Sequence, residues 1–260
     1  MRLVRPVANT GHLLGWTVFI SSVALAIYGV TRNRPMFRRF TRFWAEVCAA
    51  GWGMRVDAHG ITQLDPRVPY VFMANHLSHV DIVALFVALP IDVGFLAKKE
   101  LRRVPFLAQA MVAGGHVFID RSRRESAVNS LSQAALEVRA GASLVIFPEG
   151  TRGGEETIKP FKTGGFHLAR QAGVPIVPVG LRGTRRVMPR EALTIQPGGV
   201  EVHVGAPIDP NAFAGVPELS AHVRARISEL AAMPCVPPVA APLSEGPPPA
   251  HSDRARPEPG

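Results

Sequence analysis

The chain has 260 residues, of which 47% are hydrophobic and 19% charged, with 29 Lys and Arg against 20 Asp and Glu. This composition excludes a chain that is disordered throughout, and the two cysteines exclude a disulfide scaffold and a Cys-rich zinc site. A repeat of roughly 20–50 residues is absent, which argues against solenoids and propellers.

The first predicted element is a membrane anchor. Residues 1–60 contain eight Arg and only two acidic residues, and residues 13–30 carry no charge. That uncharged run is close to the ~20 residues of a bilayer-spanning helix. A signal peptide is the alternative, but the run is long and five Arg follow it directly. Since basic flanks stay inside, we expect the following domain on the cytoplasmic face of the cell inner membrane.

Residues 36–52 form the second predicted helix. Arginines alternate with aromatic residues here in an amphipathic pattern, which suits a helix lying among lipid headgroups. An ordinary helix that covers the domain is the alternative. Together these segments make residues 1–54 a membrane anchor with an interfacial helix, and membrane lipids an expected partner.

Residues 55–233 alternate short apolar runs with helical patterns. The candidate strands are Tyr70–Met73, Val93–Leu96, Val117–Ile119, Ser143–Phe147, Ile176–Gly180 and Val200–Val204. The candidate helices are His79–Leu89, Glu100–Val112, Arg124–Ala140, Gly165–Ala172 and Pro217–Ala232. This alternation predicts an α/β domain with a mixed sheet covered by helices. Residues 234–260 include nine prolines, so we expect a disordered tail.

The segment 70–89 contains the first candidate for chemistry. A strand runs into Asn75 and His76, and Ser78 then opens a helix whose first turn contains Asp81. Five residues apart, His76 and Asp81 meet only if His76 lies in the turn before the helix. Ser78 and Asp81 also have the form of a capping box, so a structural role for Asp81 is the alternative. His79 is a rival histidine on the same turn.

A second candidate segment follows the strand at 143–147. Its sequence, Phe-Pro-Glu-Gly-Thr-Arg over 147–152, suits a loop at the carboxyl edge of an open sheet, where such folds bind ligands. Glycine permits close backbone approach, and an arginine can bind a phosphate through two N–H groups. A surface turn with a Glu149–Arg152 ion pair is the alternative.

Taken together, the segments resemble the bacterial 1-acyl-sn-glycerol-3-phosphate acyltransferase family over roughly residues 50–210. The similarity comprises Asn75-His76-x4-Asp81, Phe118 to Arg121, Phe147 to Arg152 and Val174 to Gly180, in family order, with Lys98-Lys99 between the first two. The resemblance implies His76 and Asp81 as the catalytic pair. It also implies that the substrate-binding residues are Arg152, Arg121, Lys98, Lys99, Gly150, Thr151 and Glu149.

The implied reaction moves an acyl chain from acyl-CoA or acyl-carrier protein to the free sn-2 hydroxyl of lysophosphatidic acid, giving phosphatidic acid. His76 takes the hydroxyl proton as general base, Asp81 orients the ring, and neither a metal nor a cofactor is required. Alternatives are the same chemistry on another lyso-lipid, such as lyso-ornithine lipid, and a membrane-bound lipid-binding or scaffold protein. Basic residues interleaved with aromatics are missing from the main domain, which argues against nucleic acid as a partner.

Overall fold

The computed structural model describes residues 4–104, 106–120, 124–153, 157–189, 192 and 194–236. At its centre is a seven-stranded sheet with the order β1-β7-β6-β2-β5-β3-β4. The strands are β1 Met54–His59, β2 Val71–Ala74, β3 Val93–Lys98, β4 Val117–Ile119, β5 Ser143–Ile146, β6 Ile176–Arg182 and β7 Gly198–Val204. The predicted α/β fold with a mixed sheet is confirmed.

All neighbouring strands are parallel except β6 and β7, which are antiparallel. In β2 the four side chains are all buried, as expected of a parallel strand that is covered on both faces. Phe72 and Ala74 belong to one hydrophobic core, whereas Val71 and Met73 belong to the other. Because β2, β5 and β3 are neighbouring parallel strands, their carboxyl ends lie along one edge of the sheet.

Eight helices surround the sheet within the described part of the chain. They are α1 Val4–Thr31, α2 Arg34–Gly51, α3 Val80–Ala88, α4 Leu107–Gly114, α5 Arg124–Arg139, α6 Gly164–Ala172, α7 Thr184–Val187 and α8 Val216–Ala231. Short 3-10 helices occupy Ile61–Gln63 and Lys99–Arg103. Helices α2 and α3 cover one face of the sheet, and α5, α6 and α8 cover the other.

Two elements differ from the sequence prediction. Strand β1 was not predicted, although its residues alternate between apolar and polar types. The helix predicted over Glu100–Val112 is divided into the 3-10 helix and α4, with Phe106 between them at a φ of 63°. A proline stands at position 105 in the sequence, and proline disfavours helical conformation in the residue before it.

The N-terminal segment forms two helices that meet at a tight turn. Asn33 begins α2 by accepting a hydrogen bond from the Met36 amide at 3.0 Å, with Pro35 in the first turn. Within the described residues, none of the helices has both the length and the apolar character that crossing a bilayer demands. The membrane-embedding role predicted for residues 1–54 stays a prediction.

The chain after α8 packs back onto the domain. The backbone of Cys235 forms an isolated parallel β-bridge with Ile158. The Arg224 guanidinium donates hydrogen bonds to the backbone carbonyls of Ile158, Lys159 and Val236. Residues 234–236, the first three of the predicted tail, are thus part of the packed structure. Residues 237–260, which make up the rest of the predicted tail, lie outside the described residues.

Candidate active site

The His76–Asp81 pair forms as the sequence predicted. His76 lies in the turn between β2 and α3, and its Nδ1 is 2.8 Å from Oδ2 of Asp81. Asp81 is fully buried, whereas the His76 side chain is partly exposed. Because a carboxylate can only accept, Nδ1 carries the ring proton, and the lone pair of the neutral ring lies on Nε2.

The same Asp81 oxygen also closes the turn. Oδ2 accepts hydrogen bonds from the backbone amides of Leu77 and Ser78 at 2.7 and 2.8 Å. This is one half of the predicted capping box. The other half does not form as predicted, because the Asp81 amide donates to the Ser78 backbone carbonyl at 3.3 Å and not to the hydroxyl. The Ser78 hydroxyl donates to the Met188 carbonyl at 2.7 Å and accepts from the Val80 amide at 3.5 Å. Asp81 is therefore a structural residue of the turn and the partner of the His76 ring at once.

Asn75 ties the turn to the sheet. Its side-chain nitrogen donates to the Leu181 carbonyl at 3.0 Å, and its oxygen accepts from the Leu181 amide at 2.7 Å. These two bonds continue the pairing of β2 with β6 after the backbone of β2 has turned away. The position of His76 is thereby fixed relative to the central strands.

Glu149 holds the turn from the β5 side. One carboxylate oxygen accepts from the His76 amide at 3.1 Å, and the other accepts from the Lys159 amide at 3.2 Å. Glu149 is only 5% exposed, which excludes the surface ion pair as its main role. Burial raises the pKa of Glu149, and the two amide donors together with the charge on Lys159 oppose that rise. Its contacts are those of a brace between two loops.

The rest of the 147–152 segment shapes the space beside His76. The Phe147 ring stacks on the His76 ring with centroids 4.0 Å apart. Gly150 has a φ of 76°, and a Cβ atom at this position would be 2.8 Å from Cε of Lys162. The positive φ favours glycine at this position, whereas the flexible end of the Lys162 side chain can move away from a Cβ atom.

A cavity of about 710 Å³ opens beside His76. Most of its wall is apolar and comes from α1, α2, α3, β3, α4 and Phe147, with Ile20, Phe40, Ile82 and Met111 among the residues involved. Its polar wall is formed by His76, His79, Lys98, Gly150, Thr151 and Arg152. The arrangement combines a proton acceptor, two cationic side chains and room for an apolar chain.

The structure separates some of the predicted site residues. Lys98 lines the cavity beside His76, whereas Lys99 lines a second cavity of about 600 Å³ and forms an ion pair with Asp120 at 2.8 Å. Arg121 lies outside the described residues. His79, the rival histidine, lies on the same cavity wall. Partial removal of its ring from water, together with the charge of Arg152, lowers its pKa.

His116 was not predicted as a site residue. Its ring stacks on Phe95, and Nδ1 accepts the Phe95 amide at 3.1 Å. Burial, helped by the nearby Arg38 guanidinium, lowers the pKa of His116 to about 4, so the ring is neutral near pH 7. His116 lines both cavities. The sequence offered no signal beyond a histidine before β4.

Comparisons with known proteins point to one family. Residues 55–182 match the model of the acyltransferase family. The chain is 31% identical to the 1-acyl-sn-glycerol-3-phosphate acyltransferase alpha of Mus musculus over 81% of this chain and 75% of that protein. It is 39% identical to the 1-acyl-sn-glycerol-3-phosphate acyltransferase of Saccharomyces cerevisiae over 60% and 52% of the two chains.

A solved structure is similar over nearly the whole chain. This is the 1-acyl-sn-glycerophosphate (LPA) acyltransferase PlsC from Thermotoga maritima, with a TM-score of 0.76 and 26% identity. The match covers 88% of this chain and 95% of that one.

Proposed function

The chain belongs to the acyltransferase family, and from that premise we propose that it transfers an acyl chain from a thioester donor to 1-acylglycerol-3-phosphate. The product is phosphatidic acid, and the donor is acyl-CoA or acyl-carrier protein. The observation that carries the proposal is the His76–Asp81 pair on the wall of an apolar cavity that Lys98 and Arg152 also line.

In the proposed mechanism, Nε2 of His76 removes the proton of the sn-2 hydroxyl as its oxygen attacks the thioester carbonyl. The new C–O bond forms, the C–S bond breaks, and the proton passes from the imidazolium to the departing thiolate. Asp81 holds the ring and offsets the positive charge that it gains. A thiolate is a good leaving group, because the pKa of a thiol is about 8.5.

The acceptor phosphate is proposed to bind at the polar wall of the cavity. Arg152 provides a fork of N–H donors that matches phosphate oxygens, and Lys98 adds a positive charge. Thr151 supplies a hydroxyl donor. Gly150 permits close approach of the phosphate to the backbone, whereas its own amide already donates to the Phe147 carbonyl at 3.0 Å. Arg121 belongs to this proposed set on the family resemblance alone, and Lys99 is assigned to the second cavity.

We propose that α1 and α2 hold the enzyme at the cytoplasmic face of the inner membrane. Val18, Phe19 and Val30 on α1 and Phe43 on α2 are exposed apolar side chains. Arginines at positions 32, 34 and 39 lie beside them and suit anionic headgroups. A lipid substrate in the bilayer would then be next to the cavity, because α1 and α2 also line it.

The test uses the full chain in detergent with acyl-CoA and a panel of lyso-lipid acceptors. We expect release of free CoA and formation of phosphatidic acid, and loss of about 10²–10⁴-fold in rate for His76→Ala. His167→Ala is the matched control, because His167 is an exposed histidine on α6. Turnover of lyso-ornithine lipid in preference to lysophosphatidate would contradict the assigned acceptor. A complete lack of thioester turnover would contradict the enzyme assignment.

A further inference from the structure

A cluster of exposed apolar side chains lies in the segment that connects β3 to β4. It comprises Leu101 and Val104 at the 3-10 helix, Phe106, and Leu107 and Val112 of α4. With the exposed Arg102 and Arg103, these residues form what we call the α4 patch. Exposed apolar side chains are ordinary when scattered, whereas a contiguous group rimmed by basic residues indicates an interaction surface.

Phe106 is the most exposed member of the α4 patch. Its side chain is 73% accessible, and its backbone has a φ of 63° and a ψ of −43°. A positive φ is unfavourable for a bulky side chain, and such strain is retained where the surroundings or a function demand it. In this protein the strained conformation directs an aromatic ring outward and gains no burial for it.

The α4 patch is continuous with the N-terminal helices and with the cavity. Ala113 of α4 packs with Ala24 of α1 and Phe37 of α2 in one small core. Leu101 and Leu107, at the inner side of the patch, also line the cavity that contains His76. Two residues of the patch therefore also belong to the apolar wall of the candidate site.

We propose that the α4 patch is a second bilayer contact, separate from α1 and α2. Phe106 enters the acyl layer, and Arg102 and Arg103 lie among anionic headgroups. The choice of a lipid surface rests in part on the proposed function, since a substrate acyl chain could then pass from the bilayer into the cavity without crossing water. Apolar and aromatic residues beside arginines suit this interface chemically.

The first test measures depth in the bilayer and does not depend on catalysis. In a Cys235→Ser background, which leaves only the buried Cys48, Phe106→Cys is labelled with an environment-sensitive fluorophore. Ala225→Cys is the control, because Ala225 is exposed on α8, which packs on the other face of the sheet. With vesicles rich in phosphatidylglycerol, we expect a blue shift, a several-fold rise in emission and quenching by spin-labelled lipids at position 106 only. Equal responses at both positions would overturn the proposal.

The second test measures the charge component. Arg102→Gln and Arg103→Gln should each weaken binding to anionic vesicles about fivefold, with little change on neutral vesicles. Arg186→Gln, an exposed arginine on α7, should leave binding unchanged. Unchanged lipid binding together with a selective loss of turnover from acyl-carrier protein would overturn the proposal and assign the patch to that acidic partner. Bilayer contact in an inactive protein would instead refute only the proposed function.

Discussion

Asp81→Asn separates the charge of Asp81 from its shape. Oδ2 serves the Leu77 and Ser78 amides as well as the His76 ring, so three donors require an oxygen at this point. The asparagine carbonyl therefore takes the place of Oδ2, and its NH2 group takes the place of Oδ1. The His76 ring keeps its proton on Nδ1, so at the ring the change removes the negative charge and leaves the hydrogen bond in place.

The expected magnitude follows from the 2.8 Å contact. Charge centres about 4 Å apart interact by about 4 kcal/mol at an effective dielectric constant of about 20, which corresponds to about 10³-fold. We expect kcat to fall about 10²–10³-fold, with a smaller effect on KM because the charge acts as the imidazolium forms. Oδ1 is buried and has no hydrogen-bond partner among the described residues, so the new NH2 group should destabilise the fold by about 1–3 kcal/mol.

The assay is steady-state CoA release at saturating lysophosphatidate, combined with urea unfolding of the same preparation. Asp57→Asn on β1 is the matched control, because Asp57 is exposed and lies far along the sheet from His76. A variant that unfolds more easily but keeps wild-type kcat would refute the orienting role. Asp81 would then be a helix-capping residue alone.

Three further predictions concern the surroundings of His76. Arg152→Ala should raise KM for lysophosphatidate about 10–150-fold and leave a neutral monoacylglycerol nearly unaffected, as losing a charged contact of about 1.5–3 kcal/mol requires; equal losses on both acceptors would move the phosphate site elsewhere. The fold raises the pKa of Glu149 above 4.5, so the folded protein should lose stability as pH rises through that raised pKa. Urea unfolding across pH should show this loss in wild type and not in Glu149→Gln. Because folding lowers the pKa of His116 from 6.5 to about 4, the neutral ring makes its full contribution to the free energy of unfolding above pH 6.5. This contribution declines towards pH 4, by at most about 3 kcal/mol. His116→Gln should abolish that part of the pH dependence, and an unchanged profile would show that another group titrates.

Local sequence patterns predicted the elements that determine the site. The strand before Asn75, the turn at His76 and the helix with Asp81 in its first turn all follow from signals within a few residues of one another. The same holds for β5 and the loop after it, which ends at Arg152. Strand β1 is different, because a six-residue alternation has few members and its partner β7 is distant in the sequence.

The contacts that hold the turn in place could not be predicted in this way. Glu149 reaches the His76 amide across 73 positions, and Asn75 reaches Leu181 across 106. The sequence predicted Glu149 as a substrate-binding residue or as the partner of Arg152 in a surface ion pair, because a glutamate in a polar loop has no local sign of burial. Which backbone groups remain unpaired at the ends of β2, β5 and β6 is known only after the sheet is assembled.

The turn that contains His76 should be among the slowest parts of the molecule in amide hydrogen exchange. The amides of His76, Leu77 and Ser78 all donate to buried carboxylates, and the His76 carbonyl accepts from Gly153. Loops ordinarily open at low free-energy cost. This one cannot open without separating buried Asp81 from all three of its donors and Glu149 from the His76 amide, so its protection should approach that of the central strands. A substrate then meets a histidine already in place, and little free energy of binding is used to order it.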